Sequence, residues 1–470
     1  MTTQHTSPKQ NSILLLLCLA QFVLVLDFAI VNVALPSIQS NLDFTPGQLP
    51  WVVGAYALFF GGFLLVGGRA GDLFGRKRMF VAGLAVFGLA SLVGGASPTP
   101  MILVASRALQ GLSGAAVSPA VLALIGSNYP EGGARNKAMG VFGAVSSAGF
   151  TGGVLFGGIL TEYLTWRAVM FVNVPVCLAL VVVAARKIAD DRVSNREAGI
   201  DILGAILVTG GMCSIIYALT IAADSGWTSS SVLRAVGLGV LMLIAFVALQ
   251  AKLANPLMPL DLFKNRSVTG GNLIAFLSGG VMAISTFFFT LYMHTLGYSA
   301  IKTGLAFFPQ AFIVVLASLP VVKMTDKYGA RAVLIAGGIL LVGGTLLMTL
   351  VSADGTFLVN ILPGGLFIGA GVTVMMIATA VAATSGVESQ RMGLASGVYN
   401  SFRQLGVGLC LSTGVAIAQI DDSSPSVESI QTGFMVAAIL AVGIVLSSLM
   451  LPPNTSAAQK RGSEDEVLAE

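Results

Sequence analysis

The sequence predicts an all-α integral membrane protein with fourteen transmembrane helices. Hydrophobic residues make up 55% of the 470-residue chain and charged residues only 10%, whereas a soluble domain carries about 25% charged residues. Apolar stretches of about twenty residues, long enough to cross a hydrocarbon core of about 30 Å, recur along the whole chain. Ten-residue stretches of alternating hydrophobicity with turn signals are missing, which disfavours a β-barrel.

The distribution of Lys and Arg orients these helices. Cytoplasmic loops carry an excess of Lys and Arg, and placing the N-terminus inside puts most of the 25 basic residues on that side. Only Arg167, Arg234 and Lys302 then fall outside, and Arg107 and Arg403 fall within helices. Both termini are therefore predicted to be cytoplasmic, in a multi-pass protein of the inner (cytoplasmic) membrane. The net charge of +4 follows from this topology and indicates no nucleic-acid partner.

An internal repeat divides the chain. Residues 71–89 match residues 325–343 at an offset of 254, which aligns Gly75 with Gly329. Helices 1–6 thus correspond to helices 9–14, and helices 7 and 8 are inserted between the two halves. Parallel repeats of this kind place a substrate site between the halves, near the bilayer midplane. The predicted parts are a cytoplasmic tail (1–12), a six-helix half (13–186), a linker with two extra transmembrane helices (187–267), a second six-helix half (268–451) and a second cytoplasmic tail (452–470).

One carboxylate lies deep within a helix. Asp27 interrupts the apolar run of helix 1, whereas nearly all other acidic residues lie in loops, tails or helix ends. Arg107 in helix 4 and Arg403 in helix 13 are the deep cations. Each isolated charge at the bilayer centre costs about 3 kcal/mol, so these residues are functional candidates. Asp27 and Arg107 lie at similar depths, roughly 9 to 12 Å from the outer ends of their helices at 1.5 Å per residue. They can therefore meet if helices 1 and 4 are neighbours.

Four motifs carry a resemblance to a known family. They are LDFAIVNVALP in helix 1, GGRAGDLFGRK between helices 2 and 3, RALQGLSGAA in helix 4 and GFTGGVLFGG in helix 5. With them the chain resembles, over nearly its full length, the fourteen-helix drug/proton antiporters of the major facilitator superfamily, which are multidrug efflux transporters. Residues 166–175 and 395–406 are also similar to that family. The resemblance implies the major facilitator fold, with helices 1 and 4 adjacent.

The resemblance also implies roles for two glycine-containing motifs. The loop between helices 2 and 3 is interpreted as a cytoplasmic gate, although Leu73 replaces a common basic residue. A solvated charge cluster that only sets the topology is the alternative. Small residues at four-residue spacing in helix 5 allow close helix approach, and we expect this face to seal helix 5 against the other half. Generic helix packing is the alternative. Val154 replaces the usual Pro of this motif, which predicts a straighter helix. The gate residues are Gly68, Asp72, Gly75, Arg76 and Lys77, and the antiporter motif of helix 5 comprises Gly149, Gly153, Gly157 and Gly158.

Asp27 and Arg107 are predicted to couple transport to protons. Breaking a buried ion pair is costly, so a proton arriving on Asp27 would loosen Arg107 and bias the conformation. A purely structural ion pair is the alternative. Arg403 is interpreted either as an anchor to backbone carbonyls or as a contact to substrate. Candidates for the lining of the substrate cavity are Phe22, Asn32, Tyr56, Gln110, Phe150, Phe289, Asn400 and Arg403.

Together these observations predict a proton-coupled exporter of lipophilic, cationic or neutral small molecules. We expect it to work by alternating access, as a monomer in the lipid bilayer, without a cofactor or metal. Proton-coupled export or uptake of one endogenous metabolite is the alternative. Two buried arginines against one aspartate also leave an anionic substrate open. A membrane enzyme is disfavoured because no His, Cys or acidic cluster has the spacing of a catalytic site, and an ATP-driven pump because no Walker loop is present.

Overall fold

The computed structural model describes residues 8–45, 47–129, 133–189, 201–253, 256–258, 260–387, 392–419 and 426–453. This part of the chain is helical and contains no strand. In chain order the helices are α1 (Pro8–Leu42), α2 (Trp51–Phe74), α3 (Arg76–Gly95), α4 (Pro100–Asn128), α5 (Gly133–Tyr163), α6 (Trp166–Lys187), α7 (Ile202–Ser225), α8 (Ser230–Gln250), α9 (Arg266–Thr295), α10 (Ala300–Thr325), α11 (Lys327–Met348), α12 (Leu362–Thr384), α13 (Met392–Ala418) and α14 (Val427–Leu449).

These helices correspond one to one to the fourteen predicted spans. Within the described residues, 12 helices are long and apolar enough to cross a membrane. The helix α2 has a shorter apolar segment, Trp51–Leu64, and α5 is 31 residues long. At 1.5 Å per residue both α2 and α5 also have the length that a bilayer core of about 30 Å requires. The all-α membrane fold predicted from composition is confirmed.

Two glycines matched by the sequence repeat bend the chain at equivalent points. Gly75, between α2 and α3, has φ 100° and ψ 132°. Gly329 has φ 81° and ψ 161° at the kink in the continuous helix Ala300–Met348. Residues with a Cβ rarely adopt such φ values, so both positions require glycine. The 254-residue offset thus carries the same backbone turn into both halves.

The helix pairs also recur in the two halves. The helix α1 packs on α5 as α9 packs on α13, and α2 and α3 pack on α4 as α10 and α11 pack on α12. The pair α3 and α6 is likewise repeated by α11 and α14. The halves meet where α2 packs on α13 and where α5 packs on α10. Since α2 corresponds to α10 and α13 to α5, the repeat relates these two interfaces. The residue limits of the domains remain a prediction.

The end of α5 contacts the start of α10 in the other half. A Cβ at Gly158 would lie 2.6 Å from the carbonyl oxygen of Ala300, and one at Gly304 would lie 2.8 Å from that of Val154. The Glu162 carboxylate accepts a hydrogen bond of 2.9 Å from the Ala300 amide. A carboxylate is favourable at a helix N-terminus because the helix dipole is positive there. With the basic loops inside, this junction lies at the extracellular ends of both helices.

The inserted helices α7 and α8 lie over the other interface. The helix α7 packs on both α2 and α13, and α8 packs chiefly on α7. Ile216 of α7 packs with Leu58 of α2 and Leu405 of α13. At the inner end of the pair, Asp201 accepts a hydrogen bond of 2.6 Å from the Gln250 amide. The inserted helices therefore cover the interface between α2 and α13.

The glycine-rich face of α5 packs against α1. The expectation that this face seals α5 against the other half is wrong for three of its glycines, because a row at four-residue spacing faces a single neighbour and here that neighbour is α1. Gly158, which lies outside this row, contacts α10. A Cβ on each of the three would lie within 3.0 Å of a backbone carbonyl oxygen of α1: Gly149 of Phe22, Gly153 of Leu26 and Gly157 of Ile30.

Replacing Gly153 by Val should destabilise the N-terminal half. Its Cβ would lie 2.7 Å from the Leu26 carbonyl oxygen and 2.8 Å from the Ala29 Cβ, so α1 and α5 must separate. Overpacking of this kind costs about 1–3 kcal/mol. We expect a thermal midpoint of the detergent-purified protein several degrees below that of the wild type. Gly237→Val on α8, where the new Cβ meets nothing within 4 Å, is the matched control. Equal midpoints for the two variants would contradict the packing described.

Candidate proton-coupling site

Asp27 lies near the middle of α1 at the centre of a hydrogen-bond network. The residue is fully buried, as is Arg107 of α4. The structure brings the two together, as their depths in the sequence predicted. The Asp27 carboxylate accepts three hydrogen bonds from side chains of α4 and α6: from Arg107 Nη1 at 2.5 Å, from Gln110 Nε2 at 3.0 Å and from Asn173 Nδ2 at 2.6 Å.

The Arg107 guanidinium is held by several further contacts. Its Nε donates to the Val52 carbonyl oxygen at 2.9 Å, and Nη1 also donates to Gln110 Oε1 at 2.8 Å. The guanidinium carbon lies 4.6 Å from the centre of the Tyr56 ring, a cation–π contact. Removing two charges from water costs several kcal/mol per ion unless their hydrogen bonds are satisfied. The network supplies these bonds, except that Nη2 of Arg107 is buried without a partner among the described residues.

Glycine at position 111 lets α2 and α4 approach closely enough to build this site. A Cβ there would overlap the Tyr56 carbonyl oxygen, so no larger residue fits. Because α2 lies so close, Val52 and Tyr56 reach Arg107. Gln110, the preceding residue, also donates to Ser91 Oγ of α3 at 2.8 Å. Several helices of the N-terminal half therefore meet at one buried carboxylate and its partners.

Asn173 is a site residue that sequence reasoning missed. The predicted helix 6 is interrupted, with one segment at Trp166–Phe171 and a second that begins at Asn173. Pro175 has no amide hydrogen and its ring clashes with the carbonyl oxygen four residues earlier, which breaks the helix here. The fully buried Asn173 side chain then reaches Asp27. The signal in the sequence was a proline two residues after a polar residue, inside an apolar span.

The outer end of α6 is fixed to α1 and α3. Arg167 donates to the carbonyl oxygens of Gly95 at 3.0 Å and Ser97 at 2.7 Å. The Trp166 indole donates to Asn41 Oδ1 at 3.0 Å, and Arg167 stacks on its ring at 4.6 Å. Asn173 follows two turns later. The contacts at the membrane surface thus set the position from which Asn173 reaches the buried carboxylate.

The predicted gate residues are placed beside α4. Gly68 lies against Pro119, and Arg76 donates to the Ala123 carbonyl oxygen at 3.4 Å. Gly75 forms the turn described above, and Lys77 lies in the first turn of α3. The Asp72 side chain lies outside the described part of the structure. The role of this loop as a gate remains a prediction.

The cavity candidates do not gather in one place. Tyr56 and Gln110 join the Asp27 network, whereas Phe289 is buried against Phe307 with ring centres 4.5 Å apart. Asn32 and Asn400 donate to carbonyl oxygens of their own helices, at 2.7 and 3.0 Å. Of the remaining candidates, Phe22 contacts α5 through its backbone, and the side chain of Phe150 lies outside the described part of the structure. Arg403 makes no hydrogen bond within the described part.

A family model agrees with this architecture. The model described as Major Facilitator Superfamily matches residues 17–411. The chain belongs to the Major Facilitator Superfamily. It is therefore a membrane transporter and not an enzyme, and the major facilitator fold expected from the sequence motifs is confirmed.

Two curated relatives in this superfamily are similar over nearly their full length. The chain is 39% identical to the puromycin resistance protein pur8 of Streptomyces alboniger, with 98% of this chain and 95% of that protein covered. It is 36% identical to the cephamycin export protein CmcT of Amycolatopsis lactamdurans, with 96% and 94% covered. Among solved structures, a point mutant of the nucleoside transporter NupG superposes with a TM-score of 0.69. The superposition covers 94% of this chain and 100% of that chain at 12% identity, which shows a likeness in fold alone.

Replacing Arg107 by Gln should destabilise the protein, and removing the Asp27 charge as well should restore stability. The single variant leaves a buried carboxylate without its cation, a defect worth about 3–5 kcal/mol. The double variant Asp27→Asn/Arg107→Gln carries no buried charge at this site. We expect the thermal midpoint at pH 7.5 to fall clearly for Arg107→Gln and to recover most of the loss in the double variant.

Arg234→Gln, which changes an exposed arginine at the outer end of α8, is the control and should leave the midpoint near that of the wild type. A double variant no more stable than Arg107→Gln would show that the charge on Asp27 is not what Arg107 stabilises.

Proposed function

We propose that the protein is a proton-coupled exporter that exchanges protons for lipophilic small molecules. It works as a monomer in the inner membrane by alternating access, with Asp27 as the proton carrier. The observation that carries the proposal is the buried Asp27–Arg107 pair. Among the described residues, Asp27 is the one buried acidic side chain. Ionisable residues at such depth in a transporter are functional by default, because each isolated charge is costly.

Protonation of Asp27 changes the bonding between α1, α4 and α6. The ionised carboxylate attracts Arg107 and accepts hydrogen bonds from Gln110 and Asn173. A proton removes the charge that holds the guanidinium. Arg107 keeps its bonds to the Val52 carbonyl oxygen and to Gln110, and its contact with Tyr56. Protonation therefore weakens the attachment of α1 to α4 while Arg107 keeps hydrogen-bond partners. A reversible switch requires both.

Tight packing on α5 supports a route from Asp27 to the interface between the halves. The α5 glycines lie against the backbone of α1 on both sides of Asp27, so a shift of α1 must move α5. The outer end of α5 carries Gly158 and Glu162, which contact α10 of the other half. Release of α1 would thereby weaken these contacts between α5 and α10, which are proposed to close the outer side of the transporter. The loop from Gly68 to Lys77 is proposed to close the cytoplasmic side in the opposite conformation.

The relatives favour export over uptake. One is named for resistance to puromycin and another for export of cephamycin. For a transporter, resistance to a drug and export of a drug both mean that the drug moves out of the cytoplasm. A proton that enters the cell by way of Asp27 supplies the free energy for transport, and the substrate leaves in exchange.

Replacing Asp27 by Asn should abolish transport driven by the pH gradient. In inverted membrane vesicles with an acidified interior, we expect the wild type to accumulate puromycin or rhodamine 123. The Asp27→Asn protein should express and fold but fail to accumulate either compound. Asp43→Asn makes the same chemical change at the end of α1, where φ of 54° suits Asn as well as Asp, and should transport normally. Wild-type rates from Asp27→Asn would rule out Asp27 as the proton carrier, and loss of accumulated substrate on acidification would indicate uptake.

The driving force should depend on the substrate's charge. Exchange of one proton for a monovalent cation moves no net charge, so only the pH gradient drives it. Exchange for a neutral molecule moves one charge, worth about 2.3 kcal/mol per 100 mV, or roughly a fifty-fold gradient. Collapsing the membrane potential while keeping the pH gradient should barely slow efflux of the cation and should clearly weaken efflux of the neutral compound. Equal sensitivity of the two would mean that a second group carries a proton.

A further inference from the structure

Arg403 is a partly buried cation without a protein partner among the described residues. It lies near the middle of α13, where its backbone carbonyl oxygen would overlap a Cβ placed on Gly279 of α9. Its Nε is buried and unpartnered, and no acidic side chain of the described residues pairs with its guanidinium. The interpretation of Arg403 as an anchor to backbone carbonyls is therefore not supported. The residue as a whole is only partly buried.

Polar atoms without partners in the described part of the chain lie on the helices around Arg403. Thr379 Oγ1 of α12 and Asn272 Oδ1 of α9 are buried and unbonded, and both residues are almost wholly inaccessible. Tyr399 lies one turn before Arg403 on α13. Tyr399 packs with Ala275 of α9 and with Ala383 of α12, each within about one turn of Asn272 or Thr379. The four polar residues on these packed helices of the C-terminal half are named the Arg403 region: Asn272, Thr379, Tyr399 and Arg403.

The balance of buried charge selects the kind of ligand. Asp27 and Arg107 neutralise each other, so Arg403 is the uncompensated charge at mid-depth in the described helices. An isolated cation at this depth is unfavourable. A bound anion removes that cost. The planar guanidinium fork matches the two oxygens of a carboxylate. The Tyr399 hydroxyl is a second donor, since its contact with the Met376 carbonyl oxygen is long at 3.5 Å.

We propose that Arg403, with Tyr399 beside it, binds a carboxylate group of the transported molecule. This assignment rests on the proposed function as an exporter and names the substrate class that it binds best: lipophilic compounds that carry a carboxylate. It separates the two sites of the cycle. The proton binds in the N-terminal half at Asp27, and the anionic group of the substrate binds in the C-terminal half at Arg403.

Two dyes that differ by one methyl ester test the assignment. Rhodamine 110 carries a free carboxylate, and rhodamine 123 is its methyl ester. We would measure their binding to the purified full-length protein by fluorescence anisotropy, without any ion gradient. We expect the wild type to bind rhodamine 110 more tightly than rhodamine 123. Arg403→Gln should weaken rhodamine 110 binding at least tenfold and change rhodamine 123 binding less than twofold. Arg403→Lys, which keeps the charge but loses the bidentate fork, should fall between the wild type and Arg403→Gln.

Further variants guard against misfolding. Tyr399→Phe removes one hydroxyl without changing charge and should weaken only rhodamine 110, by a few fold. Arg234→Gln, an exposed arginine outside the region, should change neither dye. Equal losses of both dyes in Arg403→Gln would show a structural role and overturn the proposal. So would unchanged rhodamine 110 binding, or a wild type with no preference for the free acid.

The binding result is independent of proton coupling. Asp27→Asn should keep its preference for rhodamine 110 although it no longer accumulates substrate in vesicles. If Asp27→Asn transports normally while Arg403→Gln loses rhodamine 110 selectively, the proton-carrier proposal fails and the carboxylate site stands. If Arg403→Gln shows no selective loss while Asp27→Asn abolishes transport, the exporter proposal stands and the carboxylate site fails.

Discussion

The buried ion pair between Asp27 and Arg107 constrains the rest of the N-terminal half. Two opposite charges at mid-membrane are tolerated only when each has the other and when their remaining hydrogen-bonding groups are satisfied. That requirement fixes Arg107 over the ring of Tyr56 and brings α2 close enough to supply a backbone carbonyl. The interruption of α6 before Pro175 lets the Asn173 side chain donate to the same carboxylate.

Small residues make this arrangement possible. Between apolar helices in lipid there is little hydrophobic driving force, so close packing and hydrogen bonds hold the helices together. The chain contains 56 glycines, and several of those at the main helix pairs lie against the backbone of a neighbour rather than against side chains. Phe22 and Phe276, matched by the 254-residue offset, each place a carbonyl oxygen against a glycine, Gly149 and Gly406 respectively. The two halves thus share this kind of close contact, although the two glycines lie 257 residues apart and not at the 254-residue offset.

The charges are not repeated. The position that matches Asp27 in the second half is Val281, which is buried in the apolar core. The second half instead holds Arg403, without a carboxylate beside it in the described part of the chain. The fold is shared with a nucleoside transporter at 12% identity, so the fold alone does not determine what is carried. The unequal placement of charge in otherwise equivalent halves is what we propose gives this chain distinct sites for proton and substrate.

The sequence by itself determined the helices, their orientation, the repeat, the superfamily and the three deep charges. Each of these is a local or additive property: the bilayer selects apolar length, the basic loops set orientation, and a charge in an apolar run stands out without knowledge of its neighbours. The tertiary structure decided the contacts. Asn173 lies 146 residues from Asp27 in the chain, the glycine row of α5 faces α1 rather than the other half, and Arg403 has no partner among the described residues. Such outcomes depend on which faces of separate helices meet, and that choice is made by packing across the whole bundle.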